Sequence, residues 1–173
     1  MGSTKAKTKV LRQILAVVLA ISLTVGNVVL VLGAPLPVNV NMELSGNFTV
    51  STGTVATIIP GGVVNGTITV EDGATLTIDG GQVNGFIIVE PGGTLNLISG
   101  TITSTAPPPG SGITSAVTLE CGLADTALFN MSGGLITGAG TRGVDVGDNA
   151  MFEMTGGEIS GNSIPLVMVG VYA

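Results

Sequence analysis

Carboxylates at equivalent positions and one arginine are the residues of this chain that could support chemistry. Glu71 and Glu90 hold the same place in two similar segments, so a coiled chain would stack them one strand apart, where they could hold a cation. Arg142 and Asp145, in Thr-Arg-Gly-Val-Asp-Val-Gly-Asp, could form a small catalytic patch. We interpret Glu71 and Glu90 as turn carboxylates that face water. We interpret Arg142 and Asp145 as a surface ion pair beside a turn. The sequence therefore predicts no catalytic, cofactor-binding or metal-binding residue, and no cofactor.

The charges of the chain are segregated. All eleven acidic residues and a single basic residue, Arg142, follow residue 34. Because nucleic-acid binding needs Lys and Arg to neutralise phosphates, that class of function is excluded, and anionic membrane surfaces are equally poor partners. The only cysteine, Cys121, cannot form an internal disulfide, and we expect it to be a small buried apolar residue.

The first 34 residues have the pattern of an export segment. Lys5, Lys7, Lys9 and Arg12 precede an apolar run over residues 14–32. This pattern predicts a secretory signal peptide or an uncleaved helical membrane anchor over residues 1–34, followed by a stiff linker at residues 35–37. Either outcome makes the rest of the chain secreted or exposed on the extracellular cell surface, with membrane contact only through this segment if it is retained.

Internal repeats are the strongest feature of the remaining sequence. Residues 62–80 align with residues 81–99 at a constant offset of 19, with ten identical positions. Residues 127–138 match residues 150–161 at an offset of 23, which we expect to persist through Val144/Val167 and Val146/Val169. A period of about 20 residues is typical of a solenoid, in which each coil buries its apolar side chains only when neighbours stack on it.

Within each repeat, apolar and polar residues alternate in short runs separated by glycine-rich turns, which predicts strands. The inward residues of two successive coils should stack about 4.8 Å apart. The predicted pairs are Val64/Val83, Ile68/Ile87, Val70/Val89, Leu76/Leu95 and Ile78/Leu97.

Residues 38–173 are thus predicted to form one β-helix of about five coils, with a proline-rich insertion at residues 104–112 that loops out. The last coil is expected to be incomplete, and its unpaired edge favours end-to-end self-association.

Polar residues also recur at outward positions. Thr-x-Thr pairs at 67/69, 75/77 and 101/103 are similar to ice-binding faces, but Phe86, Ile88 and Asn96 interrupt the columns, so strand propensity explains the threonines. Asn65 and Asn84 should form a stacked amide ladder with a structural role.

Residues 129–138 and 152–162 share the pattern Phe-x-Met-x-Gly-Gly-x-Ile-x-Gly. They resemble the coil repeats of pectin-lyase-like, right-handed parallel β-helix proteins of bacterial cell surfaces. This resemblance implies an all-β, single-stranded right-handed parallel β-helix that serves as a stalk, an adhesive face or a polysaccharide-cleaving groove.

The residue inventory separates these roles. Lyases on that fold need a strong base and acidic Ca²⁺ ligands, whereas hydrolases use clustered carboxylates, commonly with a histidine. Arg142 is the only base after residue 34 and the chain has no histidine. We therefore expect a noncatalytic extracellular module, structural, adhesin-like or glycan-binding, with a glycan or another surface protein as partner. The alternatives are a carbohydrate-active enzyme on the same fold and a truncated fragment of a longer surface protein.

Overall fold

The computed structural model describes residues 29–30, 39–104, 115–138 and 142–168. Regular secondary structure in these ranges consists of β-strands alone. The strands are β1 Val29–Leu30, β2 Asn39–Val40, β3 Glu43–Ser45, β4 Phe48–Val50, β5 Val55–Ile58, β6 Val63–Val70, β7 Thr75–Val89, β8 Thr94–Ser104, β9 Ser115–Leu119, β10 Leu128–Met131, β11 Leu135–Gly138, β12 Arg142–Val146, β13 Met151–Met154, β14 Glu158–Ser160 and β15 Ile164–Met168. None of these ranges contains a helix with the length and apolarity that a membrane span requires.

The strands wind into a parallel β-solenoid of about six coils, so the predicted all-β parallel fold is confirmed with one coil more than expected. The coils comprise β2–β4, β5–β6, β7, β8–β9, β10–β12 and β13–β15, in that order. Three faces run along the solenoid axis. Face A contains β2, β5, β10, β13 and the beginnings of β7 and β8. Face B contains β3, β11, β14, the beginning of β6, the middle of β7 and the end of β8. Face C contains β4, β9, β12, β15 and the ends of β6 and β7.

One continuous apolar core fills the interior of the coils. The ten residues predicted to point inward are all buried, and each predicted pair lies in register between adjacent strands. The alternation of strand side chains explains this result, because every second residue must point to the same side of its strand. Hydrogen bonds between coils and apolar contacts within them therefore reinforce the same register.

A column of glycines marks the corner between faces B and C. Gly66 pairs with Gly85, and the Gly46 N–H donates to the carbonyl of Asn65. A Cβ atom on Gly66 would clash with the carbonyl oxygen of Gly46, and one on Gly85 would clash with that of Gly66. Gly66 also has a φ of 144°, which side chains disfavour. The identical glycines of the repeats thus let successive corners approach closely.

The structure differs from the sequence expectations at three places. On face C, Val144 pairs with Leu166, an offset of 22, so the expected offset of 23 through Val144/Val167 is wrong there. Strand β8 continues through Ser104, the first residue of the expected insertion; the rest of that insertion, to residue 112, lies outside the described residues. Of the expected export segment and linker, only Val29–Leu30 is described, as a strand that pairs with Leu44–Ser45.

Candidate functional site

Acidic side chains concentrate at the corner where the chain passes from face C to face A. We call this the acidic corner; it comprises residues 71–74, 90–93 and 120–127. The N–H groups of Glu71, Glu90 and Glu120 donate to the carbonyls directly below them, over 3.1, 2.9 and 2.9 Å. Those acceptors belong to Val50, Val70 and Val89. The predicted stacking of Glu71 and Glu90 is confirmed, and Glu120 extends the column by one coil.

The column creates a strongly negative environment. Thr52 donates to Glu71 Oε2 from its backbone N–H over 3.0 Å. The pKa of Glu90 is raised, first by burial and then by the charges of Glu120, Glu71 and Asp72. Like charges at strand spacing oppose ionisation of the carboxyl between them. The arrangement attracts cations in general, yet no group of three or more His, Cys, Asp or Glu within the described ranges is placed to hold a metal ion.

Residues 120–127 directly follow β9 and form a longer loop at this corner. Asn149 Nδ2 donates to the carbonyl of Gly122 over 3.0 Å, and Asn149 has a φ of 59°. This bond ties the loop to the turn of the next coil. Two adjoining grooves, of about 430 and 470 Å³, lie between the loop and that turn. They share Gly122, Leu123 and Asn149 as lining residues.

Cys121 is exposed in this loop, so the expectation that it is a buried apolar residue is wrong. Strand β9 ends at Leu119, whose side chain is the last inward one of that strand. The chain then leaves the coil for the loop, which places Cys121 outside the core column.

Arg142 and Asp145 form the predicted ion pair. Arg142 Nη1 lies 2.9 Å from Asp145 Oδ2, and Ser115 Oγ lies 3.3 Å from the same oxygen. Gly143 and Val144 are both buried, so the alternation is broken within β12 and the two charged residues reach the same side. In register with Arg142 are Ser115 and Ile164, which supply neither a second base nor a carboxylate. The pair thus lies on face C, and its neighbours in register at Arg142 are a serine and an isoleucine rather than basic or acidic residues.

Two outward polar columns extend over all six coils. On face B the column consists of Ser45, Asn65, Asn84, Thr103, Thr137 and Ser160. On face A it consists of Asn39, Thr57, Thr77, Asn96, Asn130 and Glu153. We call them the face B ladder and the face A ladder.

Amide side chains bond along both ladders. Asn84 Nδ2 donates to Asn65 Oδ1 over 2.8 Å, and Asn65 Nδ2 donates to Glu43 Oε1 over 2.8 Å. The predicted Asn65/Asn84 ladder is therefore confirmed. On face A, Asn130 Nδ2 donates to Asn96 Oδ1 over 3.0 Å. The sequence did not predict this second pair, because the expanded fourth coil separates its members by 34 residues.

No protein-family model matches this chain, and neither the curated proteins nor the solved structures include a significant match. The resemblance to pectin-lyase-like proteins therefore rests on the sequence pattern, whereas the structure shows the parallel β-solenoid itself.

Proposed function

We propose that this chain is a noncatalytic extracellular β-solenoid module that presents its flat polar faces to a surface glycan. The observation that carries the proposal is the pair of ladders on faces A and B. Each offers hydroxyl and amide groups at a regular spacing of about 4.8 Å along the solenoid axis. An extended glycan also repeats its hydroxyl groups at regular intervals, so it can meet several equivalent positions at once.

The third face supports this assignment by contrast. The corresponding column on face C consists of Thr49, Thr69, Ile88, Thr118 and Asp145. Ile88 interrupts its polar groups in the middle of the solenoid. Faces A and B therefore present longer uninterrupted polar columns than face C, and we place the glycan contact there. The export pattern of residues 1–34 supports a location outside the cytoplasm.

The competing function is carbohydrate cleavage on the same scaffold. Arg142, the basic residue that a lyase mechanism would use, is engaged in an ion pair with Asp145. Apart from Glu153 at the end of the face A ladder, the ladders supply neutral amides and hydroxyls, which bind sugars but are weak proton-transfer groups at neutral pH. These features favour retention of a glycan over its cleavage.

A polysaccharide-retention assay with product analysis tests the proposal. The full chain is immobilised and exposed to a panel of cell-surface and plant polysaccharides. We expect one or more to be retained with no unsaturated or reducing ends released. Release of such ends, or failure to retain any member of the panel, would overturn the proposal.

A matched pair of variants locates the binding face. Thr103→Val/Thr137→Val removes two hydroxyls from the face B ladder, and Thr49→Val/Thr118→Val removes two from face C. All four side chains are half-buried, so the variants should fold equally well. We expect the face B variant alone to lose retention; equal losses in both variants would contradict a ladder-specific contact.

A further inference from the structure

The sixth coil exposes an edge that no described strand covers. Strands β13, β14 and β15 each pair with one strand only, in the fifth coil below them. Their opposite backbone edges carry N–H and C=O groups that another strand could satisfy. Such an edge is the usual docking position for an added strand.

The inward residues of this coil are also incompletely covered. Met154 is 42% exposed and Leu166 is 38% exposed, whereas Met131 in the fifth coil is 1% exposed. Phe152 stacks on Phe129 below it, with ring centroids 4.9 Å apart, and is half-buried. An added strand with apolar residues at its inward positions would cover these side chains.

The outward positions of the edge are acidic. Glu153 ends the face A ladder and Glu158 lies in register with Leu135 on face B. Both carboxylates are exposed, and the described part of the sixth coil contains no Lys, Arg or His. A strand added above would place its own outward residues about 4.8 Å from these carboxylates, where Lys or Arg is favoured and Asp or Glu is disfavoured.

A second copy of this chain fits the edge poorly. Two sixth coils related by a two-fold axis would bring acidic edges together, and like charges at that distance are unfavourable. A head-to-tail contact would also pair like charges, because Glu43 of the first coil lies in the same column as Glu158 of the sixth.

We propose that the edge of the sixth coil binds an extended strand of a partner protein whose inward residues are apolar and whose outward residues are basic. The backbone of that strand continues the parallel sheet. Its apolar side chains cover Met154 and Leu166, and its lysines or arginines neutralise Glu153 and Glu158.

Peptides derived from the fifth coil test this proposal, because that coil already packs on the sixth from the other side. The basic probe copies residues 127–146 with Asn130→Lys and Leu135→Lys. The acidic probe carries Asn130→Glu and Leu135→Glu. By the register of the adjacent coils, these positions would face Glu153 and Glu158. We expect saturable binding of the basic probe to the full chain, about tenfold tighter than that of the acidic probe.

Charge reversal at the edge of the protein itself provides the decisive binding experiment. Glu153→Lys/Glu158→Lys should reverse the preference, so that the acidic probe binds more tightly. Asp72→Lys/Asp79→Lys makes the same change in net charge at exposed positions in and next to the third coil, away from this edge, and should leave the preference for the basic probe unchanged.

Three results would overturn the proposal: binding of neither probe, equal binding of both, or reversal of preference by the control variant. Sedimentation of the full chain provides the remaining check. A dimer that the basic probe dissociates would show that a second copy occupies the edge. The glycan assay uses the unmodified chain and variants in the first, fourth and fifth coils, none of which changes Glu153 or Glu158, so the two proposals can fail separately.

Discussion

The third and sixth coils contain similarly alternating strands, but their inward side chains differ in contact with water. In the third coil, Leu76, Ile78, Val83, Ile87 and Val89 are completely buried. In the sixth coil, Met154 and Leu166 remain substantially exposed. The third coil lies between two others, whereas the sixth has a described neighbour on one side only. Burial of a coil is thus completed by its neighbours, as expected for a solenoid.

The two ends of the solenoid differ as well. The inward residues of the first coil, including Phe48 and Val50, are as buried as those in the middle. Beneath that coil, β1 pairs with β3 on face B. The sixth coil has no such cover among the described strands. We therefore expect substitutions in the sixth coil to affect stability less than the same kinds of substitution in coils that are covered on both sides.

The largest difference is expected for a charge placed inside the stack. Val89→Asp puts a carboxylate into the dry centre of the third coil, and we expect it to lower the free energy of unfolding by several kcal/mol. Leu166→Asp should cost much less, because its carboxylate can reach water. Denaturant titration of both variants measures the difference in free energy of unfolding. Similar losses of stability would show that both positions are equally shielded from water.

Truncation of two methionines in the same column makes the comparison more direct. Met131 and Met154 lie in register in adjacent coils. Met131→Ala should lower the free energy of unfolding by about 2–5 kcal/mol, because it leaves a cavity in the core. Met154→Ala should lower it by less than half as much. If Met154→Ala were the more damaging change, the edge would be covered in solution.

Hydrogen exchange should show the same difference between the sixth coil and the middle coils without any substitution. Amides of β13–β15 are expected to exchange faster than those of β6 and β7, because strands with one neighbour open more easily. Mass spectrometry of peptides from the two regions measures the rates. Equal protection in both regions would argue for a bound cover on the sixth coil.

The smallest expected effect concerns the acidic corner in the middle of the solenoid. Since the pKa of Glu90 is raised in the folded chain, folding becomes less favourable as pH rises from the unfolded carboxyl pKa through the raised folded pKa. Glu90→Gln removes this penalty, so it should raise Tm slightly at neutral pH. The advantage should disappear once the pH falls below both pKa values.

Glu158→Gln is the matched control in the sixth coil, away from the column of Glu71, Glu90 and Glu120. Comparison of the two variants separates the effect of the column from the general effect of removing one carboxylate from an acidic chain. A gain from Glu90→Gln that persists unchanged in acid would have a cause other than charge repulsion.

How much could be predicted from the sequence depends on the distance between repeats. Ten identical positions at a constant offset made Val64/Val83 and the other core pairs predictable, because equal spacing places equal residues in one column. Glu120 was not predictable as a member of the acidic column, since an expanded coil separates it from Glu90 by 30 residues. The same reason concealed the Asn96–Asn130 bond. On face C, a one-residue difference in spacing shifted Val144 onto Leu166, which only the hydrogen-bonded register reveals.

The amino-acid sequence is sufficient to predict the class of fold and the inward columns, because alternation within a repeat and identity between repeats specify which side chains must stack. Which side chains are shielded from water depends on the stacking of the coils in three dimensions. Cys121 is exposed because its loop leaves the coil, and Met154 is exposed because no described strand lies above it, although Met131 one coil below is buried. Burial depends on the neighbours that a residue meets in space, and a local sequence pattern carries no information about those neighbours.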